Sequence, residues 1–241
     1  MGSNPIRGVF LKLFITKNMV LNRKIPETVK KELDRLSFRE LRPSQEKAID
    51  KGLFEEQNLL VCTPTASGKT LIAEMAFLNI LMNEVSDSET ETKPICIYIV
   101  PLKALASEKF KEFQERYPSI NFALTNGDMD SDDRYLAAFD VIITTSEKMD
   151  SLIRHGSPWL SRVKLLIIDE IHLLNDLKRG PVLEILITAF RSLNKIQLIG
   201  LSATIGNPHE LAEWLDAKLV IDNWRPVRLD KLVYLEGKLE S

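Results

Sequence analysis

Leu59-Leu60-Val61-Cys62-Thr63-Pro64-Thr65-Ala66-Ser67-Gly68-Lys69-Thr70 is the stretch on which the rest of the chain turns. Four consecutive apolar residues suit a strand covered on both faces. A cluster of Pro, Thr, Ser and Gly then breaks the run, and from Lys69 to Leu81 the pattern becomes helical. A strand, a loop of small residues and a helix opening on Gly-Lys-Thr are the setting of a phosphate-binding (Walker A) loop. Main-chain N–H groups of such a loop wrap a phosphate at the helix N-terminus, where the helix dipole also favours anions. Thr65, Ala66, Ser67 and Gly68 would form that wrap, with Gly68 allowing close backbone approach. Lys69 would reach the β- and γ-phosphates of ATP, and the Thr70 hydroxyl would ligate Mg²⁺. One position departs from the general pattern: five residues before Gly68 the first glycine is replaced by Thr63. Taken alone, the stretch also fits an ordinary strand–turn–helix with a chance Gly-Lys-Thr.

Working outward, the same alternation repeats. Short, β-branched apolar runs occur at Ile95–Val100, Phe122–Leu124, Val141–Thr144, Leu165–Ile168, Ile196–Leu201 and Leu219–Ile221. Helical patterns lie between them at Leu102–Phe113, Pro181–Leu193 and Pro208–Leu215. Repeated β-α units with short connections predict an α/β domain: a doubly wound, mostly parallel sheet flanked by helices. Upstream, Pro26–Leu36 and Pro43–Leu53 read as two helices, each with an early proline. Val9–Ile15 reads as an edge strand or a scar at the terminus. The acidic, Ser/Thr-rich stretch Glu84–Thr92 reads as a solvated loop. The expected division is an N-terminal extension over 1–37, a single α/β domain over 38–223, and a connecting segment over 224–241.

Leu165-Leu166-Ile167-Ile168-Asp169-Glu170-Ile171-His172 supplies the chemistry that the loop lacks. An apolar strand ending in two acids is a Walker B arrangement, with carboxylates at the C-terminal edge of the sheet, where open α/β sheets bind ligands. Asp169 would hold Mg²⁺, directly or through water, and Glu170 would act as general base toward the attacking water. A strand capped by solvated acids is the plain alternative. It loses force beside a Gly-Lys-Thr loop on another strand of the same sheet.

Asp169-Glu170-Ile171-His172 also resembles the Asp-Glu-x-His box of superfamily 2 helicases, and other signatures of that family follow in order. Arg42-Pro43-Ser44-Gln45 resembles the Q-motif, whose glutamine, here Gln45, reads the adenine edge. Pro64–Thr70 resembles motif I, in which the first glycine is often absent. Pro101–Leu105 resembles motif Ia, Thr125-Asn126-Gly127-Asp128 the next motif on the strand side, and Thr144–Lys148 motif Ib. Ser202-Ala203-Thr204 resembles motif III. Arg179-Gly180-Pro181 and Ile205-Gly206-Asn207-Pro208 are similar to the Ski-like branch, and within it to archaeal Hjm-type DNA helicases.

The resemblance spans about Phe38 to Val227 and implies a RecA-like (P-loop NTPase) first motor domain. It also implies ATP and Mg²⁺ as cofactors and 3′→5′ movement on single-stranded or forked DNA in replication-fork repair. Phosphate contacts would come from Lys103, Thr145, Ser146 and Gly127, since a sliding motor should hold phosphates rather than bases. His172, Ser202 and Thr204 would couple the ATP site to the strand. Without the resemblance, Lys103 reads as an exposed helix lysine and Ser146 as a helix cap. The tryptophans Trp159, Trp214 and Trp224 read as core or edge packing.

Composition limits the alternatives without choosing among them. Over 241 residues, 44% hydrophobic and 27% charged content is ordinary for a globular protein, and 32 Lys+Arg against 34 Asp+Glu gives net charge −2. A nucleic-acid binder this neutral must place its cations locally. Cys62 and Cys96 read as core thiols in a reducing, cytoplasmic setting, as in an archaeal cell. No apolar run approaches a membrane span of about 20 residues, and Ile6 breaks the myristoylation pattern. The expected state is a monomer.

In the family, a second RecA-like domain supplies an arginine finger from a Gln-x-x-Gly-Arg-x-x-Arg segment, and no such segment occurs in these 241 residues. By itself the chain is therefore expected to bind nucleotide weakly and hydrolyse it barely. An RNA motor of the same branch and a non-catalytic nucleotide-binding interaction module remain the rival readings.

Overall fold

Strict alternation along the strands divides the core in two, and that division sets where the acids point. In the computed structural model, which describes residues 25–83, 93–125, 133–193, 195–227, 233–235 and 238–240, seven parallel strands form one sheet. They are β1 (Leu59–Cys62), β2 (Ile95–Val100), β3 (Phe122–Thr125), β4 (Val141–Thr145), β5 (Val163–Ile168), β6 (Gln197–Ser202) and β7 (Lys218–Ile221). Their order across the sheet is β3-β4-β2-β5-β6-β1-β7. Every pairing in it is parallel. β8 (Val233–Leu235) and β9 (Lys238–Glu240) pair antiparallel as a separate hairpin.

One sheet face packs against α1 (Glu27–Arg35), α2 (Pro43–Asp50), α3 (Lys69–Asn83) and α4 (Lys103–Arg116). The other packs against α5 (Ser146–Arg154), α6 (Gly180–Leu193) and α7 (Pro208–Trp214). Leu59 and Val61 of β1, Cys96, Tyr98 and Val100 of β2, and Leu165 and Ile167 of β5 belong to the first core. Leu60 and Cys62, Ile97 and Ile99, and Leu166 and Ile168 belong to the second. This is period-two alternation on a sheet covered on both sides. Asp169 continues the parity of Leu165 and Ile167, which is the face of α3 and the phosphate loop.

The expected α/β architecture is present, with the strands displaced by at most two residues. β5 starts at Val163 because the exposed Lys164 interrupts the apolar run that marked it. Three 3-10 turns carry no periodicity to read: Asp133–Ala138, Pro158–Arg162 and Ile171–Asn175. Gly180 opens α6 where a Cβ would lie 2.2 Å from the Leu174 carbonyl oxygen, so only glycine lets the helix start there. Trp159 is buried with its indole N–H on the Asp133 carbonyl, whereas Trp214 and Trp224 are each 38% exposed. Both cysteines are buried, and neither forms a disulfide. The expected edge strand at Val9–Ile15, the acidic loop at 84–92 and Gly127 lie outside the described residues. Among the described residues no helix is long and apolar enough to cross a membrane.

A carboxylate is buried beside the first core. Glu74 of α3 is buried, and burial pushes its pKa above the usual carboxylate range against the pull of two donors. Tyr117 Oη donates to Glu74 Oε2 at 2.6 Å. Arg116 Nη1 donates to Oε1, while Nη2 reaches Glu112 at 2.8 Å. Arg116→Met would leave a buried carboxyl with one donor, and removing one partner of a buried pair costs about 3–5 kcal/mol. The folded pKa of Glu74 is raised, so the native state holds the proton longer and stability falls as pH rises from the unfolded carboxyl range through the folded value. The variant strengthens that shift. Urea unfolding should therefore show a larger deficit for Arg116→Met at pH 7.5 than at pH 5.

Candidate active site

β1 ends at Cys62, and the chain turns through Thr63–Gly68 into α3. The loop hangs from the sheet by Thr63 N–H donating to the Ser202 carbonyl at 3.2 Å. Thr63 stands where the first glycine is missing. Its backbone is not among the positive-φ residues, so no glycine is required there. Its hydroxyl instead pairs with the Ser67 hydroxyl across the loop at 2.7 Å, both side chains being buried. Ala66 at φ 63° and Gly68 at φ 91° carry the left-handed turns. A Cβ at Gly68 would fall 2.5 Å from Gln45 Nε2.

The start of α2 clasps this loop through three side chains. Arg42 Nη1 donates to the Ala66 carbonyl at 2.7 Å, Ser44 Oγ to the Ser67 carbonyl at 3.4 Å, and Gln45 Nε2 to the Gly68 carbonyl at 3.0 Å. Gln45 Oε1 accepts the Arg42 N–H at 2.8 Å. Gln45 is thus 3% exposed with both ends of its amide engaged by main chain. The adenine-reading role expected of it would need one of these bonds to open. The Arg42 guanidinium also lies 5.4 Å over the ring of Trp224, which puts a half-exposed indole at this edge of the loop.

β6 separates β1 from β5, with Cys62 paired to Ser202 and Ile168 to Gly200. The ends of the loop strand and of the acid strand are therefore two strand spacings apart, roughly 10 Å. That gap suits a phosphate and a cation between them. Lys69 Nζ lies on the Thr63 carbonyl at 2.8 Å and the Pro64 carbonyl at 3.2 Å. Burial pulls the Lys69 ammonium below the usual lysine range, while Glu170 and Asp169 pull it back up. Both acids are therefore within electrostatic reach of Lys69. Burial in the same place pushes the Cys62 thiol up to about 11.

Asp169 is fixed by its surroundings. Its N–H extends the ladder to the Ile99 carbonyl at 2.8 Å, its Oδ1 accepts the Glu170 N–H at 3.0 Å, and its Oδ2 accepts Tyr98 Oη at 3.0 Å. Glu170 adopts φ 54°, ψ 44°, a left-handed conformation that stops the strand. Thr70 lies in the first turn of α3, with Lys109 Nζ of α4 3.5 Å from its hydroxyl. Among the described residues no three His, Cys, Asp or Glu gather into a metal cage. A hydroxyl and a carboxylate beside a phosphate site fit Mg²⁺, which keeps waters and leans on the substrate's phosphates.

His172 departs from expectation. The 3-10 turn after Glu170 folds it back, so that Nδ1 lies 3.2 Å from Glu170 Oε2 rather than on Ser202 or Thr204. The Ser202 hydroxyl is buried without a hydrogen-bond partner among the described residues, and Thr204 lies beyond the end of β6.

On the other side of β2, the Val100–Thr145 pairing sets the ends of β2 and β4 together. A cavity of about 430 Å³ opens there, lined by Pro101, Leu102, Lys103, Thr145, Glu147 and Lys148. α4 and α5 both begin at it. Lys103 is exposed, as a phosphate contact must be. Thr145 and Ser146 are 4% and 3% exposed, so neither presents much surface to a strand in this structure.

Sequence reasoning missed Lys109, Tyr98 and the Thr63–Ser67 pair. Tyr98 left a signal: a phenol in an otherwise apolar strand needs a partner for its O–H.

Comparison with known proteins agrees with this geometry. The family model described as DEAD/DEAH box helicase matches residues 42–211. A protein of Pyrococcus horikoshii named ATP-dependent DNA helicase Hel308 is 49% identical over 215 residues, covering 89% of this chain and 29% of the relative. The protein of the same name from Methanocaldococcus jannaschii is 51% identical over 204 residues, 83% of this chain and 17% of its own length. The chain thus spans less than a third of these relatives. Among solved structures, the crystal structure of DUF1998 helicase MrfA bound to DNA superposes with a TM-score of 0.69 at 27% identity, over 83% of this chain and 30% of that one.

Proposed function

We propose that this chain, which belongs to the DEAD/DEAH box helicase family, is the ATP-binding motor domain of an ATP-dependent DNA helicase moving 3′→5′ on single-stranded or forked DNA. The observation that carries the proposal is that the Gly68-Lys69-Thr70 loop and the Asp169-Glu170 strand end flank one intervening strand, β6, at the same edge of the sheet. Lys69 would leave the Thr63 and Pro64 carbonyls for the β- and γ-phosphates of ATP. Thr70 and Asp169 would hold Mg²⁺, which when bound neutralises phosphate charge. Glu170 would take the proton of the attacking water, its Oε2 lying 3.2 Å from His172 Nδ1. Lys103 and Thr145, which line the adjoining cavity, would track the strand's phosphates with Ser146 next to them.

The name shared by relatives at 49% and 51% identity supports DNA as the track. We place the work in the cytoplasm, at stalled or broken replication forks, with a second RecA-like domain completing the ATP site and the protein acting as a monomer. The deciding assay uses a polypeptide of the relatives' length on 3′-tailed and 5′-tailed duplexes of DNA and of RNA. Salt must be fixed, because phosphate binding is salt-dependent. Unwinding confined to 3′-tailed DNA is the expected result. Preference for RNA would reassign the track, and ATP turnover without any unwinding would point to a duplex translocase.

A further inference from the structure

We propose that Tyr98 is a positioning residue for the ATP site, its buried phenol fixing the orientation of the carboxylate that holds Mg²⁺. The inference rests on Asp169 being that carboxylate. Tyr98 sits in β2 with no exposed surface, in the strand Ile95-Cys96-Ile97-Tyr98-Ile99-Val100, where every neighbour is apolar. A hydroxyl at such a depth is disfavoured unless it is hydrogen-bonded. The partner it finds is Asp169 Oδ2 at 3.0 Å.

Three features make this a fixed support rather than a chance contact. β2 and β5 are adjacent, with Tyr98 in register with Ile167, so the phenol reaches one residue pair further along to the strand end. The ring is held edge-on by Phe113 of α4, centroids 5.4 Å apart. The other carboxylate oxygen is pinned by the Glu170 N–H at 3.0 Å. With a donor on each oxygen, the carboxylate cannot rotate without breaking a charge-assisted bond. Such outer partners of a metal-binding carboxylate set its orientation, and their loss typically weakens metal binding or activity by about 10–100-fold.

Tyr98→Phe removes one oxygen and leaves the ring on Phe113, so its melting temperature should stay close to that of the unaltered chain. Calorimetry with a non-hydrolysable ATP analogue, in EDTA and in excess Mg²⁺, gives the affinity gained from the metal. The unaltered chain should show a gain, Asp169→Asn should lose it, and Tyr98→Phe should lose about tenfold of it while binding unchanged in EDTA. The double variant should lose no more than Asp169→Asn alone, because the phenol acts through the carboxylate. An undiminished gain in Tyr98→Phe, an equal loss with and without Mg²⁺, or additive losses in the double variant would overturn the positioning role. No gain in the unaltered chain, or a gain surviving Asp169→Asn, would instead overturn the assignment of Asp169 on which it rests.

Discussion

Glu170→Gln, made in a polypeptide of the relatives' length, is expected to bind ATP as tightly as the parent and to hydrolyse it about 10²–10⁴-fold more slowly, the usual contribution of a general base. The structure gives the two acids different surroundings. Asp169 carries donors on both oxygens, from Tyr98 and from the Glu170 N–H. Glu170 turns off the strand in a left-handed conformation, φ 54°. The amide keeps the size and polarity of the carboxylate, so the phosphate loop, Lys69 and Asp169 are untouched and nucleotide still binds. An amide accepts no proton from water, so the chemical step loses its base. Single-turnover hydrolysis together with nucleotide affinity checks both halves. Residual turnover above a few per cent would assign the base elsewhere. His172 would then be the first residue to test, since its Nδ1 lies 3.2 Å from Glu170 Oε2.

A still larger deficit is expected of the 241-residue chain assayed by itself. Lys69 lies within electrostatic reach of both acids, and Lys109 is engaged by Glu112 at 2.8 Å. A family motor stabilises the transferring phosphoryl group further with an arginine finger from its second domain, worth about 10³–10⁵ in rate. That corresponds to roughly 4–7 kcal/mol of barrier. Turnover by the chain alone should lie about 10³–10⁵-fold below that of a polypeptide of the relatives' length and respond little to single-stranded DNA. A rate within tenfold of the longer protein would show that a group within these residues already supplies the missing charge.

Most of the fold was legible because its strands are short, apolar and buried on both faces. β1 and β2 begin and end where their apolar runs do. The turns at Asp133–Ala138 and Ile171–Asn175 were not legible, because a 3-10 turn of five or six residues leaves no periodic trace. Within the site, Gly68, Lys69, Thr70, Asp169 and Glu170 were marked by residue type and spacing. The partners that hold them were not. Thr63 looked like a defect in the phosphate loop, yet its hydroxyl closes the loop onto Ser67. Gln45 was assigned to adenine, whereas both ends of its amide hold main chain in this structure. Tyr98 and Lys109 come from neighbouring elements whose approach only the sheet order β3-β4-β2-β5-β6-β1-β7 reveals. Sequence therefore marks the groups that do chemistry more readily than those that aim them.

The most direct measurement of the central claim is a crystal structure of the Glu170→Gln protein with ATP and Mg²⁺. The predicted result has Lys69 Nζ moved from the Thr63 and Pro64 carbonyls onto the β- and γ-phosphates, with Thr70 and Asp169 around one Mg²⁺, directly or through water. Nucleotide bound elsewhere, or a cation beyond the reach of Asp169 with Lys69 still on the loop carbonyls, would contradict the account.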